Sequence, residues 1–241
     1  MSNSKPISLI TGANKGIGLE TARQLAALGH HVILAARDRG KAVEAANSLG
    51  SEVEPLQLDV TDAGSIAAAV AVIAQKHGRI DVLVNNAGVL LDAGDKKPSE
   101  QSLDTWRKTF DTNVFGLVAV TQAFLPLLKK SSGARIVNLS SILASNTLHQ
   151  TPGSPIYDYK VPAYNVSKSA VNAWTVHLAY ELRDTPHKVN AAHPGHVQTD
   201  MGGAAAPMSI PDGAKTSVWL ATLPADGPNG GYFHQGEALP W

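Results

Sequence analysis

The chain of 241 residues contains no cysteine. This absence excludes a disulfide framework, a thiolate metal site and a cysteine nucleophile. Charge of one sign is not in excess either, because 20 Lys and Arg residues balance 20 Asp and Glu residues and no basic run occurs. The composition therefore disfavours nucleic acid as a partner.

Long apolar runs are also lacking. Residues 1–6 are polar and lead directly into an apolar stretch without a secretory leader pattern, and no stretch is expected to be long enough to cross a bilayer. We therefore expect a cytoplasmic protein with no membrane partner. The length suits one domain that spans residues 1–241.

Short apolar runs alternate with helical patterns along the chain. The runs carry no polar face, which is typical of parallel strands covered on both sides. The predicted strands are residues 7–10, 32–36, 53–58, 82–84, 136–139 and 189–192. Gly29 and Gly50 stand where two helices, 19–28 and 41–49, are expected to end. The sequence thus predicts an α/β fold, a Rossmann-type doubly wound parallel sheet in three layers within a single domain.

The longest helical pattern runs from Trp106 to Leu128, with apolar residues every three or four positions. Asn113 lies beside this apolar stripe and needs polar partners if it is buried. It either bonds nearby backbone or belongs to an active site, and position alone does not decide between the two. Residues 142–162 and 196–211 lack periodicity and are predicted to be loops that wall a substrate.

Three glycines, Gly12, Gly16 and Gly18, follow the first predicted strand and open a helix. Such glycines allow a tight turn and the approach of a pyrophosphate to free N–H groups at a helix N-terminus. The spacing is G-x-x-x-G-x-G, which differs from the commoner G-x-G-x-x-G. A glycine-rich turn without a ligand is therefore an alternative for this loop taken alone.

The second strand is followed by Arg37, at the place where a dinucleotide-binding chain reads the adenosine ribose. An arginine there favours a 2′-phosphate, and Lys15 and Arg39 add positive charge. The sequence therefore predicts NADP. If Asp38 faced the ribose in place of Arg37, the preference for NADP over NAD would weaken or reverse.

Tyr164 and Lys168 stand four residues apart at the start of a helical stretch and share a helix face. An ammonium in that position can stabilise a phenolate, whose parent phenol has a pKa of about 10 when unperturbed. A solvated surface pair has the same spacing. The pair is therefore evidence for a catalytic site only in combination with the glycine loop upstream. Together the two features indicate nicotinamide-dependent redox chemistry.

Six motifs, in order and spacing, resemble those of the short-chain dehydrogenase/reductase family, and they cover nearly the whole chain. They are residues 11–18, Asn85-Asn86-Ala87-Gly88, Asn113, Asn138-Leu139-Ser140-Ser141, Tyr164-Asn165-Val166-Ser167-Lys168 and Pro194-Gly195-His196-Val197-Gln198-Thr199. The Asn-Lys pair inside the glycine loop and the Ala-Arg-Asp after the second strand look most like the NADPH-dependent carbonyl reductase branch.

The resemblance implies catalytic roles for four residues. Tyr164 would protonate a carbonyl oxygen during reduction and act as the base in oxidation. Lys168 would depress the pKa of Tyr164 and bond the nicotinamide ribose. Ser141 would hold the substrate oxygen, and Ser140 is the neighbouring candidate for this role. Asn113 would anchor a water that relays protons to Lys168.

The resemblance also implies a set of residues that bind the cofactor. They are Gly12, Asn14, Lys15, Gly16, Ile17, Gly18, Arg37, Asp59, Val60, Asn86, Ala87, Gly88, Tyr164, Lys168, Pro194, Gly195, Val197 and Thr199. Among these, Asp59 and Val60 would meet the adenine, Asn86 and Gly88 would line the adenosine ribose, and Thr199 would approach the carboxamide or the pyrophosphate.

The remaining polar residues point to no other chemistry. The nine histidines show no metal-ligand spacing, so no metal site is predicted. His193 is interpreted as a packed residue at a strand end and His196 as a loop residue. A hydrolase centred on Ser141 is disfavoured because G-x-S-x-G is absent around it. The segment between Ser141 and Tyr164 is longer than in compact family members, and its role is open.

The sequence therefore predicts an NADPH-dependent oxidoreductase that interconverts a ketone or aldehyde with its alcohol. The loops are apolar and favour a small, apolar substrate; their apolar residues are Ile142, Leu143, Leu148, Met201 and Met208. The sequence does not decide whether the protein forms a homo-oligomer. The alternatives are an NAD-linked alcohol dehydrogenase that works mainly in oxidation and a non-catalytic NADP-binding sensor.

Overall fold

Residues 5–241, which the computed structural model describes, form eight β-strands and eight α-helices. The strands are β1 Ile7–Ile10, β2 His31–Ala36, β3 Val53–Gln57, β4 Val82–Asn85, β5 Arg135–Leu139, β6 Lys188–Ala192, β7 Tyr232–His234 and β8 Glu237–Ala238. The helices are α1 Gly16–Ala27, α2 Arg39–Asn47, α3 Ala63–Lys76, α4 Leu103–Phe110, α5 Leu117–Leu128, α6 Asn146–Gln150, α7 Pro162–Glu181 and α8 Ile210–Ala221. A π-helical turn, Asp111–Gly116, joins α4 to α5.

The strands form one sheet in the order β3-β2-β1-β4-β5-β6-β7-β8. All neighbouring strands from β3 to β7 run parallel, and β8 pairs antiparallel with β7. The strand order reverses between β1 and β4, where Leu9 lies between Ile33 and Leu83. A crevice at the carboxyl ends of these strands is the usual ligand site of such sheets.

Alternate residues of each strand face opposite layers of helices. Leu9 and Ile33 pack with α3, α5 and α7, whereas Ile10 and Leu34 pack with α1, α2 and α8. Both faces of the sheet are therefore covered. This arrangement confirms the predicted three-layer, doubly wound α/β fold.

Six of the strands lie where the apolar runs predict them, within one or two residues at each end. The strands β7 and β8 are not predicted, because they are short and follow Gly230 and Gly231, which weaken a strand pattern. The loop predicted at 142–162 contains α6, and the loop predicted at 196–211 extends to the start of α8.

The helical stretch Leu103–Leu128 is 26 residues long and, by length and composition alone, could cross a membrane. The expectation that no stretch has this length is therefore wrong, because the helix continues through the π turn that carries Asp111. Val120 and Phe124 from this stretch are fully buried in the core that α3 and α7 share. Its apolar face thus packs against the sheet.

A chain of buried polar side chains crosses the centre of the sheet near its carboxyl edge. Asn85 on β4 donates from Nδ2 to Thr121 Oγ1 at 2.9 Å and to Asn138 Oδ1 at 2.9 Å. Asn138, its neighbour on β5, donates in turn to Thr175 Oγ1 at 2.9 Å. The chain therefore fixes α5 and α7 against the two strands whose ends form the crevice.

We predict that Asn138→Ala destabilises the protein by about 1–3 kcal/mol, because it leaves the buried amide of Asn85 and hydroxyl of Thr175 with fewer partners. Urea unfolding measures the change. Asn47→Ala, at an exposed position on α2, is the control and should change stability by less than about 0.5 kcal/mol. Equal midpoints for the two variants would show that the polar chain contributes nothing.

Candidate active site

The glycine loop after β1 is packed directly on the segment after β4. Gly12 and Gly16 adopt positive φ angles of 61° and 57°, which favour glycine. A Cβ on Gly12 would lie 2.9 Å from the Ala87 Cα. Asn86 donates from Nδ2 to the carbonyls of Thr11 and Gly12 at 2.9 and 3.0 Å. The amide of Asn86 thus shapes the loop.

The N-terminus of α1 differs from those of five other helices. Capping side chains accept hydrogen bonds at the first turns of α2, α3, α4, α6 and α8; they are Asp38, Asp62, Ser102, Ser145 and Ser209. Lys15, which precedes α1, makes no such bond. The first-turn N–H groups of α1 therefore stand without a side-chain cap at the end of the glycine loop, which is a donor set suited to a pyrophosphate.

Charged residues flank this loop on both sides. Asp38 accepts a hydrogen bond from Lys41 N at 3.0 Å and so serves as the cap of α2. Arg37 is exposed beside it. Two hydrogen bonds from Thr61 hold the pKa of Asp59 below its usual range, and the guanidinium of Arg37 lowers that pKa further. The Lys15 ammonium pairs with the Asp200 carboxylate in the loop after β6.

Tyr164 and Lys168 lie on α7 with only 7% and 4% of their surfaces exposed. The Lys168 Nζ lies 5.7 Å from the centre of the Tyr164 ring and donates to the Leu139 carbonyl at 2.7 Å. Burial raises the pKa of Tyr164 to about 12, and a hydrogen bond with Ser141 offsets part of this rise. Burial lowers the pKa of Lys168 to about 8.

Burial is the largest influence on the pKa of Tyr164, and the Lys168 ammonium donates to the carbonyl of Leu139. The depression of this pKa by Lys168 stays a prediction. The phenol stays protonated at neutral pH, which is the form that can donate a proton.

The two neighbouring serines have different partners. Ser140 donates to Asn172 Oδ1 at 2.6 Å inside the core. Ser141 accepts from Leu143 N at 3.2 Å and also bonds Tyr164. The structure thus brings Ser141 to Tyr164 and holds Ser140 away from it.

Asn113 lies in the π turn and is almost fully buried. Its Oδ1 accepts from Val89 N at 2.8 Å, and its Nδ2 donates to the Val89 carbonyl at 2.9 Å and to Ser167 Oγ at 3.0 Å. A Cβ on Gly88 would lie 3.4 Å from this Oδ1 and 3.5 Å from the Lys168 Nζ. Asn113 therefore finds its polar partners in the Val89 backbone and Ser167, close to Lys168, and its catalytic role stays a prediction.

The other predicted cofactor residues also lie around the crevice or support it. Val197 is buried and pairs with Met208, and Thr199 accepts from Gly202 N at 3.1 Å. The Thr199 methyl would lie 3.4 Å from a Cβ on Gly16, so this loop meets the glycine loop. Val60 packs against Gly116 at the π turn. The other predicted members of these segments are Asn14, Ile17, Gly18, Pro194 and Gly195.

Asp92 is a positioning residue that the sequence does not predict. Val161, which precedes α7, makes no capping bond, and Asp92 supplies the cap from a distant loop. Its two carboxylate oxygens accept from Ala163 N at 2.8 Å and from Tyr164 N at 3.0 Å. The missing local cap before Pro162 is a sequence signal for a distant partner, but it does not identify Asp92.

The peptide group between Ser141 and Ile142 is held at both of its polar atoms. The Tyr232 hydroxyl donates to the Ser141 carbonyl, and Ile142 N donates to His193 Nδ1 at 3.0 Å. Burial lowers the pKa of His193 to about 3, so its imidazole remains a neutral acceptor. His193 directly follows β6, as predicted, whereas the role of Tyr232 is missed because β7 is missed.

A cavity of about 610 Å³ opens at the opposite edge of the sheet, lined in part by Pro6, Asp81 and Arg135. The Arg135 guanidinium donates to the carbonyls of Leu223 and Pro224 at 2.9 and 3.0 Å. These bonds fix the guanidinium within the fold. Tyr164, Ser141 and Lys168 do not line this cavity.

Comparison with known proteins agrees with this geometry. The short chain dehydrogenase family model matches residues 6–209. Carbonyl reductase [NADPH] 1 of Mus musculus is 33% identical, with 100% of both chains covered. The (+)-neomenthol dehydrogenase of Capsicum annuum is 30% identical, covering 95% of this chain and 96% of that one. The solved structure of NADPH-bound carbonyl reductase from chicken fatty liver superimposes with a TM-score of 0.85 at 27% identity, covering 98% and 99%.

The fold and the site define a nucleotide-dependent oxidoreductase of small molecules. The chain belongs to the short-chain dehydrogenase family, and its relatives include members of the carbonyl reductase branch. This membership confirms the resemblance seen in the sequence.

We predict that Asp92→Ala lowers stability by about 0.5–2 kcal/mol, as expected for loss of a helix cap, and also lowers turnover because Tyr164 lies in the first turn of α7. Ser102→Ala removes the cap of α4 and is the matched control. Both variants should unfold at lower denaturant concentration, and only Asp92→Ala should lose turnover. Equal turnover in the two variants would show that Asp92 does not position Tyr164 for catalysis.

We predict that Tyr232→Phe lowers kcat by about tenfold, the effect of one lost hydrogen bond at a buried carbonyl, while cofactor affinity stays unchanged. Tyr180→Phe, on the exposed face of α7, is the control and should behave as the unmodified protein. Steady-state kinetics and cofactor titration measure the two effects. A normal kcat in Tyr232→Phe would show that Ser141 needs no support from β7.

Proposed function

We propose that this protein is an NADPH-dependent reductase that converts an apolar ketone or aldehyde to its alcohol and also catalyses the reverse reaction. The observation that carries the proposal is the buried group of Tyr164, Ser141 and Lys168, in which the phenol is held protonated beside the serine hydroxyl. This group lies at the same sheet edge as a glycine loop that ends at the uncapped helix α1.

The residues around the crevice fit a dinucleotide. The positive φ angles of Gly12 and Gly16 and the first-turn N–H groups of α1 suit the pyrophosphate. Arg37 suits a 2′-phosphate, and Asp38 is engaged as the cap of α2. A Cβ on Gly88 would lie 3.5 Å from the Lys168 Nζ, so the glycine leaves space beside the buried ammonium. NADPH, when bound, supplies the hydride.

The protein supplies the proton. In the proposed reduction, the Ser141 hydroxyl donates to the carbonyl oxygen of the substrate, and the Tyr164 hydroxyl gives its proton to that oxygen as charge develops there. The Lys168 ammonium, 5.7 Å from the ring centre, then stabilises the phenolate that remains. Asp92 and Tyr232 hold the two hydroxyl-bearing residues at their positions.

An apolar substrate is supported by the surroundings of this group. The segment after Ser141 contributes Ile142 and Leu143, both half-buried, and Met208 lies against Gly195. A relative that is 30% identical to this chain bears the name (+)-neomenthol dehydrogenase, which refers to an apolar alcohol. We propose the same class of substrate for this chain.

We expect NADPH to bind more tightly than NADH, because Arg37 offers the 2′-phosphate a charge-assisted contact. Arg37→Asp should lower NADPH affinity by about tenfold to a hundredfold, the range of hydrogen bonds to charged groups. Asp38→Asn keeps an efficient helix cap and should leave the preference unchanged. Equal dissociation constants for the two cofactors in the unmodified protein, measured by fluorescence titration, would favour the NAD-linked alternative.

We expect Tyr164→Phe to fold and bind NADPH but to lose nearly all turnover, because it removes only the hydroxyl. Ser140→Ala is a control that alters a buried hydroxyl outside the proposed chemistry. Lys168→Met should lose turnover and bind NADPH more weakly. Single-turnover hydride transfer to a panel of apolar ketones tests the proposal: near-normal transfer in Tyr164→Phe would contradict the mechanism, and no transfer by the unmodified protein would favour the sensor alternative.

A further inference from the structure

Two imidazoles and one carboxylate converge at the amino-terminal edge of the sheet. His31 begins β2, Glu54 lies near the start of β3, and His77 follows α3. The Glu54 Oε2 lies 3.1 Å from His31 Nε2 and 3.2 Å from His77 Nε2. The three atoms lie within 4.8 Å of one another. The strands are parallel, so this cluster and the candidate active site occupy opposite edges of the sheet.

We propose that His31, Glu54 and His77 form a binding site for a late first-row divalent cation such as Zn²⁺. Imidazole nitrogen and carboxylate oxygen are preferred ligands of these ions. Tetrahedral bonds of about 2.0–2.1 Å place neighbouring ligand atoms about 3.3 Å apart. The two distances to Glu54 Oε2 already match this spacing. A water molecule would complete the coordination of the ion.

The surroundings of the cluster allow the ligands to bind a cation. All three residues are partly buried, and the two imidazole rings lie 5.0 Å apart, centre to centre. Burial lowers the pKa of His77 and so favours the neutral, ligating form of its imidazole. Each imidazole that donates from Nε2 to Glu54 moves this proton to Nδ1 or releases it when the ion binds.

Lys76 competes with the ion for the same oxygen. Its Nζ lies 2.7 Å from the Glu54 Oε2, and its side chain is 57% exposed. Because the lysine is long and mostly exposed, its ammonium can move into solvent when a cation takes the oxygen. A cluster that only bonds β2, β3 and α3 together would instead use Lys76 as one of its members. Removal of this ammonium should therefore strengthen cation binding if the cluster is a cation site, and should weaken the cluster if it is only a tie between these elements.

The sequence predicts no metal site because no motif connects these residues. His31 and His77 each stand 23 positions from Glu54. The pairing of β2 with β3 and the end of α3 bring them together. The proposal is independent of the reductase function, and an ion in this place would fix the end of α3 to the edge of the sheet.

The test uses the full chain after treatment with a chelator. Calorimetric titration with Zn²⁺ should give one equivalent, and Co²⁺ should give a visible absorption spectrum that Zn²⁺ abolishes. His77→Gln and Glu54→Gln should each weaken Zn²⁺ binding by at least about tenfold. His177→Gln, an exposed histidine on α7, is the matched control and should bind as the unmodified chain does. Lys76→Met should bind Zn²⁺ more tightly.

Three results would overturn the proposal. Binding that persists unchanged in both His77→Gln and Glu54→Gln would place the ion elsewhere. Binding at millimolar concentration alone would mean an adventitious ion only. Weaker binding in Lys76→Met, a variant at an exposed position that should fold normally, would show that the cluster is a hydrogen-bonded tie and not a cation site.

Discussion

The position of α7 against the carboxyl ends of β4 and β5 is the constraint on which the candidate active site depends. Asp92 fixes the first turn of the helix, and the bond from Lys168 to the Leu139 carbonyl fixes the second. Asn138 joins the middle of the helix to β5 through Thr175. A shift of α7 would break all of these contacts at once, so the place of the Tyr164 phenol is determined by packing as well as by sequence.

Ser141 reaches the same point from the other side of the crevice. The peptide group that follows it is held by Tyr232 and His193, which belong to the last part of the sheet. The two hydroxyls therefore meet because two separate supports converge, one at the start of α7 and one at β6 and β7. Such support from surrounding residues is what keeps reacting groups in a productive geometry.

Local patterns predict much of this molecule. The apolar runs give six strands, since strands buried on both faces contain few polar residues, and the glycine loop and Tyr164 with Lys168 identify the sheet edge that carries the site. Asp92 and Tyr232 escape prediction because their bonds join residues 72 and 91 positions apart. Periodicity and spacing carry no information about such contacts. The cytoplasmic location, the oligomeric state and the roles of individual site residues stay predictions.

The burial of Lys168 is unfavourable for the fold and useful for the site. Its pKa of about 8 lies below the 10.5 of an unperturbed lysine, so the unfolded chain holds this proton more tightly than the folded chain. Stability therefore increases as the pH rises through this interval, and at neutral pH the buried ammonium costs stability. The bond to Leu139 offsets part of that cost. An apolar residue at this position would pack without the penalty, and it would leave a phenolate at Tyr164 with no neighbouring positive charge.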